Sequence, residues 1–214
     1  PVLLGAGGMH LADPLFQRVM VQECRARGMA VVFDEVFAGL YRLGRASAGE
    51  FLGTTSEKDG NQSLPPGCPD VGCYAKLLTG GVVPLSLTLA SEPVYKAFEG
   101  DTKAEALLHG HSYTAHPVGC VSGLRAMHEY RKSQNFYEIP AADKSTQGTT
   151  EKQIVMKDLW DENTVAELSK LPNVDASISI GTVLAVKLKS EDSGYASLAS
   201  VAIVNKLKQH GVYA

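Results

Sequence analysis

A chain of 214 residues, 44% hydrophobic and 20% charged, has the composition of an ordinary globular protein, able to bury a real core as one large or two modest domains. A net charge of −3 and a pI near 6.1 give no electrostatic reason to expect nucleic acid or an anionic membrane as partner, and no apolar run approaches the roughly eighteen residues of a membrane span. Cys24, Cys68, Cys73 and Cys120 contain no C-x-x-C and are too sparse for a disulfide scaffold, so reduced thiols in an intracellular compartment are the default. The chain opens on Pro1 and stops at Gly211-Val212-Tyr213-Ala214 as a strand begins, and on that ground it reads as a fragment.

Val2 to Leu4 predicts a brief strand, followed by the turn Gly5-Ala6-Gly7-Gly8, which lacks the G-x-G-x-x-G and P-loop patterns of phosphate loops. Asp13-Pro14 opens a helix with an N-cap residue and a proline in the first turn. Leu15, Phe16, Val19, Met20 and Cys24 mark its expected buried face, and Gly28 its stop. Ala30 to Phe33 has no polar alternation and predicts a strand buried on both faces, as in a parallel sheet, which completes a βαβ unit.

Asp34-Glu35 follows at the carboxyl end of that strand, the edge where open α/β sheets place ligands. Buried Asp is rare unless paired, so Asp34 either caps nearby backbone amides or meets a cationic ligand, such as the protonated ring nitrogen of a pyridine cofactor. Val36 to Asp70 reads as an irregular polar connection, long enough to want a functional or oligomeric reason. Arg42 and Arg45 near its start are either anion ligands or solvated arginines. Val71 to Ala75 is a short strand, and Thr79-Gly80-Gly81 breaks the run, so Lys76 sits where a strand stops. A lysine amine has an unperturbed pKa of about 10.4, but apolar neighbours disfavour its charged form and make it reactive toward carbonyls. Schiff-base chemistry and a plain surface lysine are the two readings of Lys76.

Pro84 to Ser91 is apolar and β-rich, and Glu92 to Phe98 predicts a short helix. His109-Gly110-His111-Ser112-Tyr113-Thr114-Ala115-His116 is dense in donors. No acid or cysteine in the run completes a metal-ligand set, and Gly110 with the Ser112 and Thr114 hydroxyls suits a phosphate better. Pro117 starts a helix with Val118, Val121, Leu124 and His128 on one face and Gly119, Ser122 and Gly123 allowing close packing. Arg131 to Lys157 has no periodicity and reads as a mobile insertion or linker. Beyond it, a helix over Leu159 to Lys170, strands at Ala176 to Ile180 and Thr182 to Leu188 around Gly181, and a helix over Tyr195 to Gln209 predict a second, α+β unit.

Taken together, Val31-Val32-Phe33-Asp34-Glu35-Val36-Phe37-Ala38-Gly39, then Pro69-Asp70-Val71 with Lys76-Leu77-Leu78-Thr79-Gly80-Gly81, then His109-Gly110-His111-Ser112-Tyr113 and His116-Pro117, resemble the class III (ornithine-type) pyridoxal-phosphate aminotransferases. Within the class, Gly5 to Met9, Phe37 to Gly44 and Cys73-Tyr74-Ala75-Lys76 are most similar to the diaminopelargonate aminotransferases of biotin synthesis, in the eukaryotic form fused to dethiobiotin synthetase. The resemblance implies an α/β fold of PLP-dependent transferase fold type I. It divides the chain into part of the large domain with a mostly parallel sheet (1–130), an insertion or linker (131–158) and part of the small domain (159–214).

It further implies pyridoxal 5'-phosphate as cofactor, Lys76 as the Schiff-base lysine and Asp34 as the partner of the pyridinium nitrogen. Ser112 stands where the family usually has a threonine that binds the phosphate of the neighbouring subunit's cofactor, with Gly110 and His111 beside it, so a homodimer is implied. Arg42 matches an arginine that helps recognise the amino-oxononanoate substrate, the amino donor being S-adenosylmethionine. A mitochondrial location follows by resemblance, a cytoplasmic one otherwise. The family's glycine-serine phosphate loop, ring-stacking aromatic and carboxylate-binding arginine are not in these residues, so the chain alone is expected to be inactive. Another class III ω-amino acid or ornithine-type aminotransferase, and a non-catalytic dimerising scaffold, are the competing readings.

Overall fold

The computed structural model describes residues 2–53, 67–105, 110, 112–132, 136–140, 152–190 and 197–213. β1 (Leu3–Leu4) and β2 (His10–Leu11) form a small antiparallel ribbon around the Gly5–Gly8 turn, as the glycine run predicts. The Asp13 carboxylate accepts from Phe16 N at 2.8 Å and opens α1 (Pro14–Ala26), which ends before Gly28 at φ +68. The face that α1 buries is not the expected one. Gln17 and Val21 are buried, whereas Leu15 and Phe16 are 67% and 65% exposed and Val19 and Met20 about half so. The helix docks through Val21 into a core of Val2, Leu3, Phe33, Ala38, Leu43, Ala48, Leu52 and Val183. Periodicity finds an apolar stripe, but packing decides which stripe has a partner.

β3 (Val32–Asp34), β4 (Val71–Tyr74) and β5 (Leu87–Ala90) make a three-stranded sheet in that order, β3 parallel to β4 and β4 antiparallel to β5. The expectation that the β3 segment is buried on both faces is corrected. Phe33 enters the core while Val32 is 60% exposed, because the described residues cover only one face of β3. The expected polar connection after Asp34 is also corrected over its first part. Residues 36–53 fold into turns and a 3-10 helix at Ala48–Leu52, and they bury Ala38, Tyr41, Leu43, Ala48 and Leu52. Its side chains are apolar at irregular intervals, which no helix or strand period reveals. Residues 54–66 of the same stretch lie outside the described residues.

α2 (Glu92–Lys96) falls where expected, and α3 (Pro117–Lys132) follows the turn at 112–115. α3 packs through Gly119 and Gly123, while Val118, Val121 and Leu124, the expected core face, are 60%, 65% and 75% exposed. A Cβ at Gly123 would lie 3.3 Å from Leu78 O, so the glycines are what permits the approach. β6 (Phe136–Pro140) and β7 (Lys152–Met156) pair antiparallel, so the stretch read as a mobile insertion or linker carries a ladder. Residues 141–151 of that stretch lie outside the described residues.

α4 (Glu162–Ser169) is capped by Asp161, which accepts from Thr164 N at 2.9 Å. β8 (Val174–Ile180) and β9 (Val183–Leu188) turn at Gly181, φ +59, and α5 (Val201–Gln209) follows. The predicted start of that helix at Tyr195 lies outside the described residues. The β8–β9 turn docks on the segment after β3: Thr182 N and Oγ1 both donate to Arg42 O, at 2.9 and 3.2 Å, and Met156 N donates to Gly44 O at 2.8 Å. Among the described residues no helix is long and apolar enough to cross a membrane.

Candidate active site

Lys76 occupies a strained and well-supported position. β4 ends at Tyr74, Ala75 is extended, and Lys76 adopts φ +50, a left-handed backbone rare for a residue with a Cβ. It opens a 3-10 turn, Lys76–Thr79, that Gly80 and Gly81 end at φ +63 and +84. The turn is tied on both sides: the buried Thr79 hydroxyl donates to Val83 O at 2.6 Å, and Tyr130 of α3 donates to Leu77 O at 2.7 Å. The Lys76 side chain itself is exposed and lies on the wall of a cavity of about 1030 Å³, with Thr79, Pro84 and Ser86 beside it and Tyr113, Thr114 and His116 also on the wall. Both readings of Lys76 find an observation here: the residue is exposed, and Ala75, Val82, Val83, Pro84 and Leu85 line the same cavity. Its aromatic contact is the Phe37 ring, 5.3 Å from Nζ to the centroid.

Asp34 lies one strand away, paired in parallel register with Cys73. It is exposed, and Oδ1 accepts from Val36 N at 3.0 Å, so the local amide cap is formed and burial of this carboxylate is not. The buried acid is its neighbour. Glu35 is 1% exposed and accepts from Ser47 Oγ at 2.6 Å, Ala48 N at 2.7 Å and Gly49 N at 3.4 Å. Strand alternation explains the pair: successive side chains point to opposite faces, so one acid turns to the core and the other away. Tyr74, beside Glu35, has its phenol pushed above the usual range, by burial first and by that carboxylate second. A Cβ at Gly39 would meet the Tyr74 ring at 2.9 Å and Glu35 O at 3.0 Å, which is why a glycine stands there.

Arg42 is half-buried. Its Nε donates to Phe37 O at 2.8 Å, its guanidinium lies 4.6 Å from the Phe37 ring centroid, and burial lowers its pKa from the usual value. Arg45, the other candidate anion ligand, is instead placed over the Phe51 ring at 4.7 Å and 3.9 Å from Glu50. Gly110 and Ser112 are exposed, Ser112 at the start of the turn whose next residues reach the cavity wall. His111 and His109 lie outside the described residues. His116 acts locally, its Nδ1 accepting from Gly119 N at 3.1 Å and so capping α3. All four cysteines are free.

Lys76, Phe37 and Arg42 thus come together around one ring, and Lys76 shares a cavity with the turn after Ser112. Asp34 is at the same sheet edge but not on that cavity's wall. Thr114, read from the sequence as a phosphate contact, is on the cavity wall, whereas Phe37, Tyr113 and the anchoring Tyr130 are not site residues that the sequence alone points to. Phe37 sits inside the Asp34–Gly39 motif, which is a usable signal; Tyr130 is separated from the loop it holds by a whole helix, and no local pattern points to it.

The family model for aminotransferase class-III matches residues 1–214. The chain is 47% identical over 218 aligned residues to the mitochondrial bifunctional dethiobiotin synthetase/7,8-diamino-pelargonic acid aminotransferase of Oryza sativa subsp. japonica, a match covering 100% of this chain and 24% of the rice protein. It therefore spans about a quarter of that relative's length. Of solved structures, the adenosylmethionine-8-amino-7-oxononanoate aminotransferase of Methanocaldococcus jannaschii superposes with a TM-score of 0.68 at 21% identity, over 99% of this chain and 44% of that one. An amine transaminase from an uncultivated Pseudomonas species, in its PLP-bound form, superposes with a TM-score of 0.66 at 20% identity, over 99% and 43% of the two chains.

Proposed function

From a chain that belongs to the class-III aminotransferases and has their α/β, fold type I architecture, we infer that these residues carry the lysine-bearing part of the active site of a diaminopelargonate aminotransferase. The reaction moves an amino group from S-adenosylmethionine to 8-amino-7-oxononanoate, giving 7,8-diaminononanoate. The observation that carries the reading is Lys76, held in left-handed backbone at the end of β4 on a cavity wall, with Asp34 at the end of the parallel neighbour β3.

The donor set fits pyridoxal 5'-phosphate: an accessible amine, an accessible carboxylate on the adjacent strand end, and a cavity in the size range of small-molecule sites. When bound, this cofactor supplies an electron sink that makes the substrate's Cα–H bond ionisable. Lys76 Nζ would hold the cofactor and, once released by the incoming amine, would take and return the proton at the substrate carbon as general base and acid. Asp34 would hold the proton on the ring nitrogen. Ser112, with His111 and Gly110 beside it, serves the phosphate of a neighbouring subunit's cofactor in a homodimer. Arg42 reads the amino-oxononanoate. Residues 1–130 belong to the large domain, 131–158 to the connection and 159–214 to the small domain. A mitochondrial site of action is supported by the name of the rice relative.

Borohydride reduction of the full-length protein containing this chain, followed by peptide mass mapping, should place a phosphopyridoxyl group on Lys76. An unmodified Lys76 in folded, cofactor-supplied protein would overturn the reading in favour of a non-catalytic scaffold. Turnover with S-adenosylmethionine identifies the biotin-pathway enzyme, whereas turnover only with ornithine or an ω-amino acid assigns the chain to another branch of the class.

A further inference from the structure

Two cations far apart in sequence share one aromatic ring. The Phe37 centroid is 5.3 Å from Lys76 Nζ and 4.6 Å from the Arg42 guanidinium carbon, both inside the roughly 6 Å reach of a cation–π contact. Arg42 is fixed a second time by its Nε donating to Phe37 O at 2.8 Å. The ring is itself held at its base: a Cβ on Gly5 would lie 2.7, 2.8 and 3.0 Å from Cγ, Cδ1 and Cδ2 of Phe37, so the first glycine of the Gly5–Gly8 turn is the floor on which the ring rests. Among the described residues neither Lys76 nor Arg42 forms an ion pair.

We propose that Phe37, seated on Gly5, is a positioning residue that registers the amine of Lys76 against the guanidinium of Arg42. The choice of a ring has a physical reason. A carboxylate between the two cations would pair with them and occupy their donors, whereas a π face attracts both without accepting a strong hydrogen bond from either. No acceptor takes the Lys76 protons at this ring, so the ammonium can still lose one to become the reacting amine, and Arg42 keeps the donors other than Nε for an anion. This inference rests on the functional reading above, in which Lys76 reacts and Arg42 reads the substrate.

The test uses the full-length protein and three variants. Phe37→Leu keeps an apolar side chain but removes the π face, and should raise KM for the oxo-acid acceptor and lower kcat, each by about tenfold. Phe37→Tyr, whose added hydroxyl lies at the ring end away from Gly5, should restore most of both constants. Gly5→Ala leaves Phe37 intact but displaces its ring, and should change both constants in the same direction by about threefold. Borohydride labelling of Lys76 should persist in all three. Wild-type constants in Phe37→Leu, or a kcat that falls only in proportion to Lys76 labelling with KM unchanged, would overturn the proposal. A wild-type protein that is not labelled at Lys76 would overturn the functional reading itself, and this proposal with it.

Discussion

The two parts of the candidate site are supported in opposite ways. Around β3 and β4 the polar groups serve as scaffolding: Glu35 gathers Ser47, Ala48 and Gly49, Thr79 closes its own turn on Val83, and Tyr130 holds Leu77 from across the helix. The groups proposed to carry the chemistry, Lys76 and Asp34, stand exposed on that support. The turn from Ser112 to Ala115 is exposed throughout, and it runs into α3 through the cap that His116 forms with Gly119. The contrast shows where rigidity is supplied by this chain. The turn that carries the lysine is tied by buried and part-buried neighbours, while the segment proposed to hold a phosphate is exposed.

If that contrast is right, mutations should separate chemistry from stability. Lys76→Ala in the full-length protein should lower transamination by at least about a thousandfold, because nucleophile and proton carrier vanish together, while thermal unfolding shifts by less than about 0.5 kcal/mol at this exposed site. A large loss of stability would mean that the left-handed turn depends on the lysine. Glu35→Ala should do the reverse in kind. It leaves the part-buried Ser47 hydroxyl and the Ala48 amide without their acceptor, Gly49 N keeping Ser47 Oγ, and should destabilise by about 3 kcal/mol in urea unfolding, with the folded fraction still labelled at Lys76. Ser112→Ala should weaken cofactor affinity by about tenfold, roughly 1.4 kcal/mol, and leave the melting curve of the cofactor-free protein in place, since the hydroxyl is exposed. Tyr130→Phe should have the smallest effect, about 1 kcal/mol from the lost bond to Leu77 O, together with faster hydrogen exchange confined to the Lys76–Thr79 turn. Exchange that is unchanged there would show that Gly123 and Thr79 hold the turn without help.

The places of Asp34 and Lys76 in the fold are legible in the sequence because they sit at strand ends marked by local signals. Asp34 follows an apolar run, and Lys76 precedes Thr79-Gly80-Gly81. The Asp13-Pro14 cap, the Gly28 stop and the Gly181 turn are legible for the same reason, since each depends on one or two residues and the backbone they allow. What fails to read are faces. The apolar stripes of α1 and α3 look like core from their spacing, and in this chain, which spans about a quarter of the rice relative, Phe16 and Leu124 are exposed while the helices dock through Val21, Gly119 and Gly123. The buried acid is misassigned from sequence too, because side-chain alternation says that Asp34 and Glu35 differ without saying which one faces inward.

By itself, the sequence determined where strands end, where helices start, and which amine and which carboxylate stand at one edge of a sheet, because caps, glycines and breakers act within a turn or two of the chain. Only the tertiary structure decided that Glu35 rather than Asp34 is buried, that Gly5 carries Phe37, and that Lys76 and Arg42 meet at one ring. Those facts depend on contacts between segments distant in sequence, whose energies come from shape and proximity that no local pattern encodes.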